Sequence, residues 1–444
     1  MLSTLFTTAL LTVAAEAAPW GPAGLGPHQG SPSWGPPNLP AWGPSGPPGG
    51  WHHGPAPAPP PPSPPGPGKP TVSPTVPQPW SYFVNSTIFA PNFGLFYPRY
   101  AELQDGTILA TSSLSGPQPD YFPIFESTDG GASWTWISNL TDQVNGLGFT
   151  AQPALHELTF DLGSYKKGTI LGGGNSWGNT STNIDLYASL DKGRSWEFVS
   201  HVAKGGPPNT TNGATPVWEP YFLPYDGEVI AFYSDQRDPL HGQKLAHQVT
   251  TDLKTWGPVV NDVAYDNYLA RPGMTIVAYI EPIDQWMLVH ENPVVLTNGS
   301  VQYSHGVQYP VFYKLAKDPR DFGASPDMPL LVNGTTAPSS SPYVVWTPEP
   351  KGSKYGTIFV SDNDHRSVFS NQQGGAIDAW EEHGTPAGAV YSRAIEIFAS
   401  RQDHLLIYGG DTFNGIMDGE DLPFSATVLN VERVLSKAPE DYSL

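Results

Sequence analysis

The sequence predicts an all-β protein whose folded part is a six-bladed β-propeller, and three observations carry that prediction. Residues 80–444 show almost no apolar spacing of helical period, while short strand-like runs parted by Gly or Asp turns recur throughout. The runs come in pairs at intervals of about 50–71 residues, the length of a unit of four antiparallel strands. An octapeptide, S-x-D-x-G-x-S-W, occurs at 127–134 and again at 189–196, with a shortened copy at 250–256.

The chain before these units reads differently. Residues 2–14, LSTLFTTALLTVA, form an apolar run too short to span a bilayer, and Ala15-Glu16-Ala17 follows as a small-residue cleavage site. Residues 1–17 are therefore expected to be a secretory signal peptide, and the mature protein to be secreted. Residues 18–79 hold 23 prolines, four tryptophans (Trp20, Trp34, Trp42, Trp51) and a single charge, Lys69. Such a segment cannot make helix or ladder hydrogen bonds, so it is expected to be a disordered linker ahead of the catalytic domain at 80–444. Asn-x-Ser/Thr acceptors at Asn85, Asn139, Asn179, Asn209, Asn298 and Asn333 fit a secreted glycoprotein.

Within 80–444, first strands are expected in YPRYAEL, QPALHEL, WEPYFLP, ARPGMTIVAYI, SPYVVWT and YSRAIEIF, starting near residues 97, 152, 218, 270, 341 and 391. Second strands follow Gly or Asp turns, as in TILATSS, TILGGGN, EVIAFYSD and TIFVSDN. YFVNSTIFA, ahead of the first unit, is free to pair with the C-terminal TVLNVERV and close the ring, which removes exposed strand edges. In the repeated octapeptide, Asp accepts backbone N–H bonds, Gly permits a positive φ, and Trp134 or Trp196 is expected to pack beneath the turn.

In each antiparallel pair the start of strand one and the end of strand two share a face. Starts supply Arg99, Gln152, Trp218, Glu219, Arg271, Tyr391 and Arg393. Ends supply Asn175, Asp235, Glu291, Asn292, Asp362 and Asp411. A concave ring of carboxylates, arginines and aromatics suits glycosidic bond cleavage, which uses one protonated and one ionised carboxyl. Arg99, Trp218, Asp235, Arg271, Asn292 and Arg393 are the expected substrate-binding set. Glu157, inside a first strand, and Arg237-Asp238-Pro239, without a matching Asn-Asp-Pro-Asn element, are weaker candidates.

Composition narrows the partners. With 41 acidic and 21 basic residues the formal charge is −20, which argues against nucleic acid and anionic membrane surfaces and for a neutral or cationic partner; with the glycosidase-like ring the expected partner is a neutral polysaccharide. Zero cysteines exclude disulfides and thiolate chemistry, and no His pair has metal-ligand spacing, so neither cofactor nor metal is expected. The protein is expected to act as a monomer.

The octapeptides resemble the Asp-boxes of sialidase-like propellers. YPRY, QPALHEL, VWEPYF, SDQRDP, DLKTW, ARPGMT, VHEN and YSR together make 80–444 resemble the exo-arabinanases of glycoside hydrolase family 93. That resemblance implies a six-bladed propeller that releases arabinobiose from α-1,5-linked arabinan with retention. It implies Glu219 as acid/base, Glu291 as nucleophile and Tyr391 as the tyrosine beside the nucleophile. The Pro-rich stretch is not part of that pattern. Two other functions fit the ring: a sialidase, with Arg99, Arg271 and Arg393 as an arginine triad but without the Arg-Ile-Pro motif, and a non-catalytic carbohydrate-binding propeller.

Overall fold

The computed structural model describes residues 81–91, 94–114, 120–410 and 423–436; residues 1–17, residues 18–79 and Asp411 lie outside the described residues. The described chain forms six four-stranded antiparallel sheets, and its one α-helix is the single turn Val431–Leu435. The first strands of the blades are Leu95–Glu102, Ala151–Glu157, Val217–Tyr225, Gly273–Ile280, Tyr343–Thr347 and Ile395–Phe398. They pack against one another around the centre, and the Tyr97 N–H donates to Tyr391 O (2.8 Å) between the first and sixth blades. The sixth sheet is completed by Phe83–Phe89, which pairs antiparallel with Phe424–Asn430. The N-terminal strand thus closes the ring as its sequence suggested.

The Asp-boxes act as staples between blades. Asp129 accepts from Ser133 N (2.9 Å) and Ser133 Oγ (2.6 Å), and Asp191 repeats both bonds with Ser195. Trp134 donates to Gly131 O (2.8 Å) and packs toward Tyr408 of the sixth blade. Trp196 of the second blade reaches Ser138 of the first, and Trp256 of the third reaches Ser200 of the second. Trp134 and Trp196 are half-buried, because each ring lies across a blade boundary near the rim.

One backbone feature recurs in all six blades. A residue with left-handed φ stands at or just before each first strand: Tyr97, Gln152, Glu219, Met274, Ser341 and Ser392, with φ between 48° and 67°. In the first four blades the register slips at this point, between Phe96 and Arg99, Ala151 and Ala154, Trp218 and Tyr221, and Gly273 and Ile276. A bulge re-aims a side chain and ends pairing. Four of the six are followed by proline, which gives up no ladder bond at a bulge.

Candidate active site

Glu219 belongs to this bulge series. Its φ of 60° costs on the order of 1–3 kcal/mol for a residue with a Cβ, and it turns the carboxyl out of the strand's regular alternation. Three neighbours hold it. Gln152 Oε1 accepts from Glu219 N (2.9 Å), while Glu219 Oε2 accepts from Ser234 Oγ (2.6 Å) and Met274 N (2.8 Å). Gln152 and Met274 are themselves bulge residues, of the blades on either side.

Glu291 ends the second strand of the fourth blade, paired with Gly273. Its Oε2 accepts from Ser341 N (2.7 Å), and Ser340 adds a side-chain hydrogen bond. Ser340 and Ser341 are both left-handed, so their turn points an N–H at the carboxylate. A methyl on Gly273 would sit 3.2 Å from Glu219 Oε2 and 3.7 Å from Glu291 Oε1. The two carboxyl groups therefore close on one point, no farther apart than those two distances laid end to end.

Tyr391 stands beside this pair. Its hydroxyl bonds the Ser341 side chain, and burial together with the charges of Glu291 and Glu219 lifts its pKa well above that of a free phenol. Burial also raises both carboxyls. Glu219 is raised less than burial alone would give, because Ser234, Met274, Arg271 and Arg99 favour its charged form. Glu291 is pushed up to about 8, by burial first and the Glu219 charge second. The guanidinium groups of Arg271 and Arg99 favour the charged form of Glu219, and the two raised carboxyls titrate as a coupled pair.

The remaining expected residues divide. Arg271 lies close enough to feel both carboxylates, and burial lowers its pKa to about 10. Its donors are taken by Asn212 Oδ1 (2.7 Å), Gln243 Oε1 (2.8 Å) and Gln236 Oε1 (2.9 Å). Trp218 donates to the same Gln236 oxygen (2.7 Å) and meets Trp177 edge-on at 5.2 Å. Buried in this way, Trp218 keeps little ring face for a sugar. Arg99 stacks 3.8 Å over Tyr97 and ties the first blade to Ser392 O and Oγ of the sixth. It serves as a positioning charge under the pair. Asn292 follows Glu291, and its buried Oδ1 has no partner among the described residues.

Two expected residues are not in the site. Asp235 is clamped by Arg237 Nε and Nη2, both at 2.8 Å, so its carboxylate is already committed. Arg393 is fully buried, donating to Ser367 O, with Asp362 the favourable charge near it. Both positions satisfied the strand-end rule, but the side chains are buried and held by other partners. The sequence reading missed Ser340-Ser341, Ser234, Gln243 and Gly273. It also missed Tyr309, whose hydroxyl feels the Glu291 charge, and Asp364, whose charge raises Glu291. The Pro after Tyr97, Gln152, Glu219 and Ser341 was the available signal for four of the first strands; nothing local marks the others.

No family model matches the chain, and no curated protein matches it. Solved structures do. An α-L-arabinofuranosidase of Fusarium graminearum is 41% identical, with a TM-score of 0.74, over 80% of this chain and 99% of its own. The same enzyme has been solved with arabinobiose and described as a family 93 glycoside hydrolase. An α-L-arabinanase of Penicillium chrysogenum, also solved with arabinobiose, is 39% identical with a TM-score of 0.73 and the same coverage. This exceeds what a shared fold alone explains, and the sialidase and non-catalytic readings fall away: the chain is a glycoside hydrolase and belongs to glycoside hydrolase family 93.

Proposed function

We propose that this protein is a secreted, monomeric, exo-acting hydrolase that releases arabinobiose from the ends of α-1,5-linked arabinan with retention of configuration. Residues 1–17 serve as its leader and 18–79 as a linker to the catalytic domain at 80–444. The observation that carries the reading is the closure of Glu219 and Glu291 on one point beside Gly273. The bound set by that closure admits a retaining pair, which stands roughly 5–5.5 Å apart, and excludes most of the roughly 6.5–9.5 Å that an inverting pair needs to admit a water; retention itself is taken from the family. The arabinobiose complexes of the two relatives supply the sugar.

In the first step Glu291 Oε1 attacks the anomeric carbon. A carbon–oxygen bond to Glu291 forms, the glycosidic bond breaks, and the Glu219 proton passes to the leaving oxygen. In the second step Glu219 takes a proton from water, the water oxygen bonds to the anomeric carbon, and Glu291 leaves as a carboxylate. The reactive microstate carries the proton on Glu219 and the negative charge on Glu291. Tyr391 and Ser341 N–H stabilise that carboxylate.

The test is hydrolysis of debranched arabinan at about pH 5 by Glu219→Ala and Glu291→Ala. Glu291→Ala loses turnover on every substrate. Glu219→Ala fails on arabinan but keeps first-step activity on aryl arabinosides, whose leaving groups need little protonation. If neither substitution slows arabinan hydrolysis at least ~100-fold, the assignment is wrong.

A further inference from the structure

We propose that Asn139 carries an N-linked glycan whose first sugar rests on the Trp136–Tyr121 aromatic face; this depends on the secretory reading above. All six acceptor asparagines are exposed, so exposure does not choose among them. Register does. On the outer strand of the first blade, Thr135–Thr141, a bulge skips Ile137, so Trp136 pairs with Phe125 while Asn139 pairs with Pro123 and Thr141 with Tyr121. Phe125, Pro123 and Tyr121 alternate along one face of Tyr121–Ser127. Trp136, Asn139 and Thr141 therefore share that face, although the spacing of three between Trp136 and Asn139 would part them in a regular strand.

The contacts bear this out. Trp136 Nε1 donates to Asn139 Oδ1 (2.8 Å) and Ser138 O (2.9 Å). Trp136 is 43% exposed, unusual for so large an apolar residue, and its ring lies 6.2 Å from Tyr121 at 27° between planes, with Phe89 near edge-on at 5.2 Å. The amide is oriented through Oδ1, and Asn139 Nδ2, the atom that would bond the sugar, has no partner among the described residues. An N-acetylglucosamine there meets flat aromatic faces that water wets poorly. Asn85 is the contrast: its Nδ2 donates to Pro386 O, and its Oδ1 accepts from Thr427 Oγ1 and Gly388 N. A sugar on that Nδ2 would have to fit against Pro386, beside the strands that close the ring.

The experiment uses the full chain expressed in a yeast secretory host. Amidase release in heavy-oxygen water marks each occupied asparagine for peptide mass spectrometry. Asn139 is expected to be occupied and Asn85 bare. Trimming to a single N-acetylglucosamine should leave the melting temperature unchanged, while complete removal should lower it by about 2 °C. That drop should vanish in Trp136→Ala and persist in Trp136→Phe, a comparison independent of any direct cost of losing the indole. Asn139 bare while other acceptors are occupied overturns the proposal and leaves secretion standing. Protein in the medium with no glycan at any position does the same. Protein retained in the cells without glycan overturns both readings. An equal drop in Trp136→Ala overturns the aromatic platform.

Discussion

Gly273→Ala is a one-methyl probe of the paired carboxyls. The added carbon would lie 3.2 Å from Glu219 Oε2, 3.2 Å from Gln243 Nε2 and 3.7 Å from Glu291 Oε1. The first two contacts are tight, so Glu219 or Gln243 must yield by a few tenths of an ångström. The methyl also narrows the gap in which the anomeric carbon has to come within roughly 3–3.5 Å of Glu291. A misplacement approaching 1 Å costs on the order of 10²-fold, or about 2.7 kcal/mol of barrier. Folding is expected to be spared. Gly273 is not left-handed, and removing a glycine from a compatible site gains about 0.4–1 kcal/mol through the unfolded chain, offsetting the contact strain. The assay is kcat/KM on linear arabinan alongside the melting temperature. The expected result is a loss of about 100-fold with the melting temperature within about 2 °C. A folded Gly273→Ala enzyme with full kcat/KM would show that the reacting atoms do not pass beside Gly273.

Other outcomes follow from the same structure. Glu291 and Glu396 are both buried carboxyls raised to about 8, so each binds its proton more tightly folded than unfolded. Their stability contribution is full below about pH 4.5 and is lost as pH rises toward 8, so the melting temperature should fall over that window, and Glu396→Gln should flatten the fall with kcat unchanged. Trp134→Ala should cost about 2 kcal/mol, less than a fully buried tryptophan, with kcat of the folded fraction intact; selective loss of kcat would contradict its staple role. Proteolytic removal of residues before about 80 should leave full activity on soluble arabinan, and loss would mean that the linker contributes to the site.

The blades, their order and the closing strand were legible because strand spacing and turn residues are local properties. Ser127, Asp129 and Trp134 announce a turn wherever they occur in that spacing. Glu219 and Glu291 were legible because the strand-end rule puts both on one face from adjacent blades. The same rule misplaced Asp235 and Arg393. It fixes where a Cα stands, whereas the orientation of a long side chain is decided by partners such as Arg237 and Ser367 that are set by tertiary packing. The placement of Arg271 was also hidden, because its guanidinium is anchored by Gln236 and Gln243 from another blade. The prolines at 98, 153 and 220 were a readable trace of the bulges, since a proline inside a strand pattern points to an edge or a bulge.

The most direct test of the central claim is the stereochemistry of azide rescue, read by proton NMR of the arabinosyl azide formed from an activated aryl arabinoside. With Glu219→Ala, azide should intercept the glycosyl–Glu291 intermediate and give the azide of retained configuration. With Glu291→Ala, azide should replace the missing nucleophile in one displacement and give the inverted product. Opposite stereochemistry would reverse the two roles, and inversion from both variants would contradict a covalent intermediate on either carboxylate.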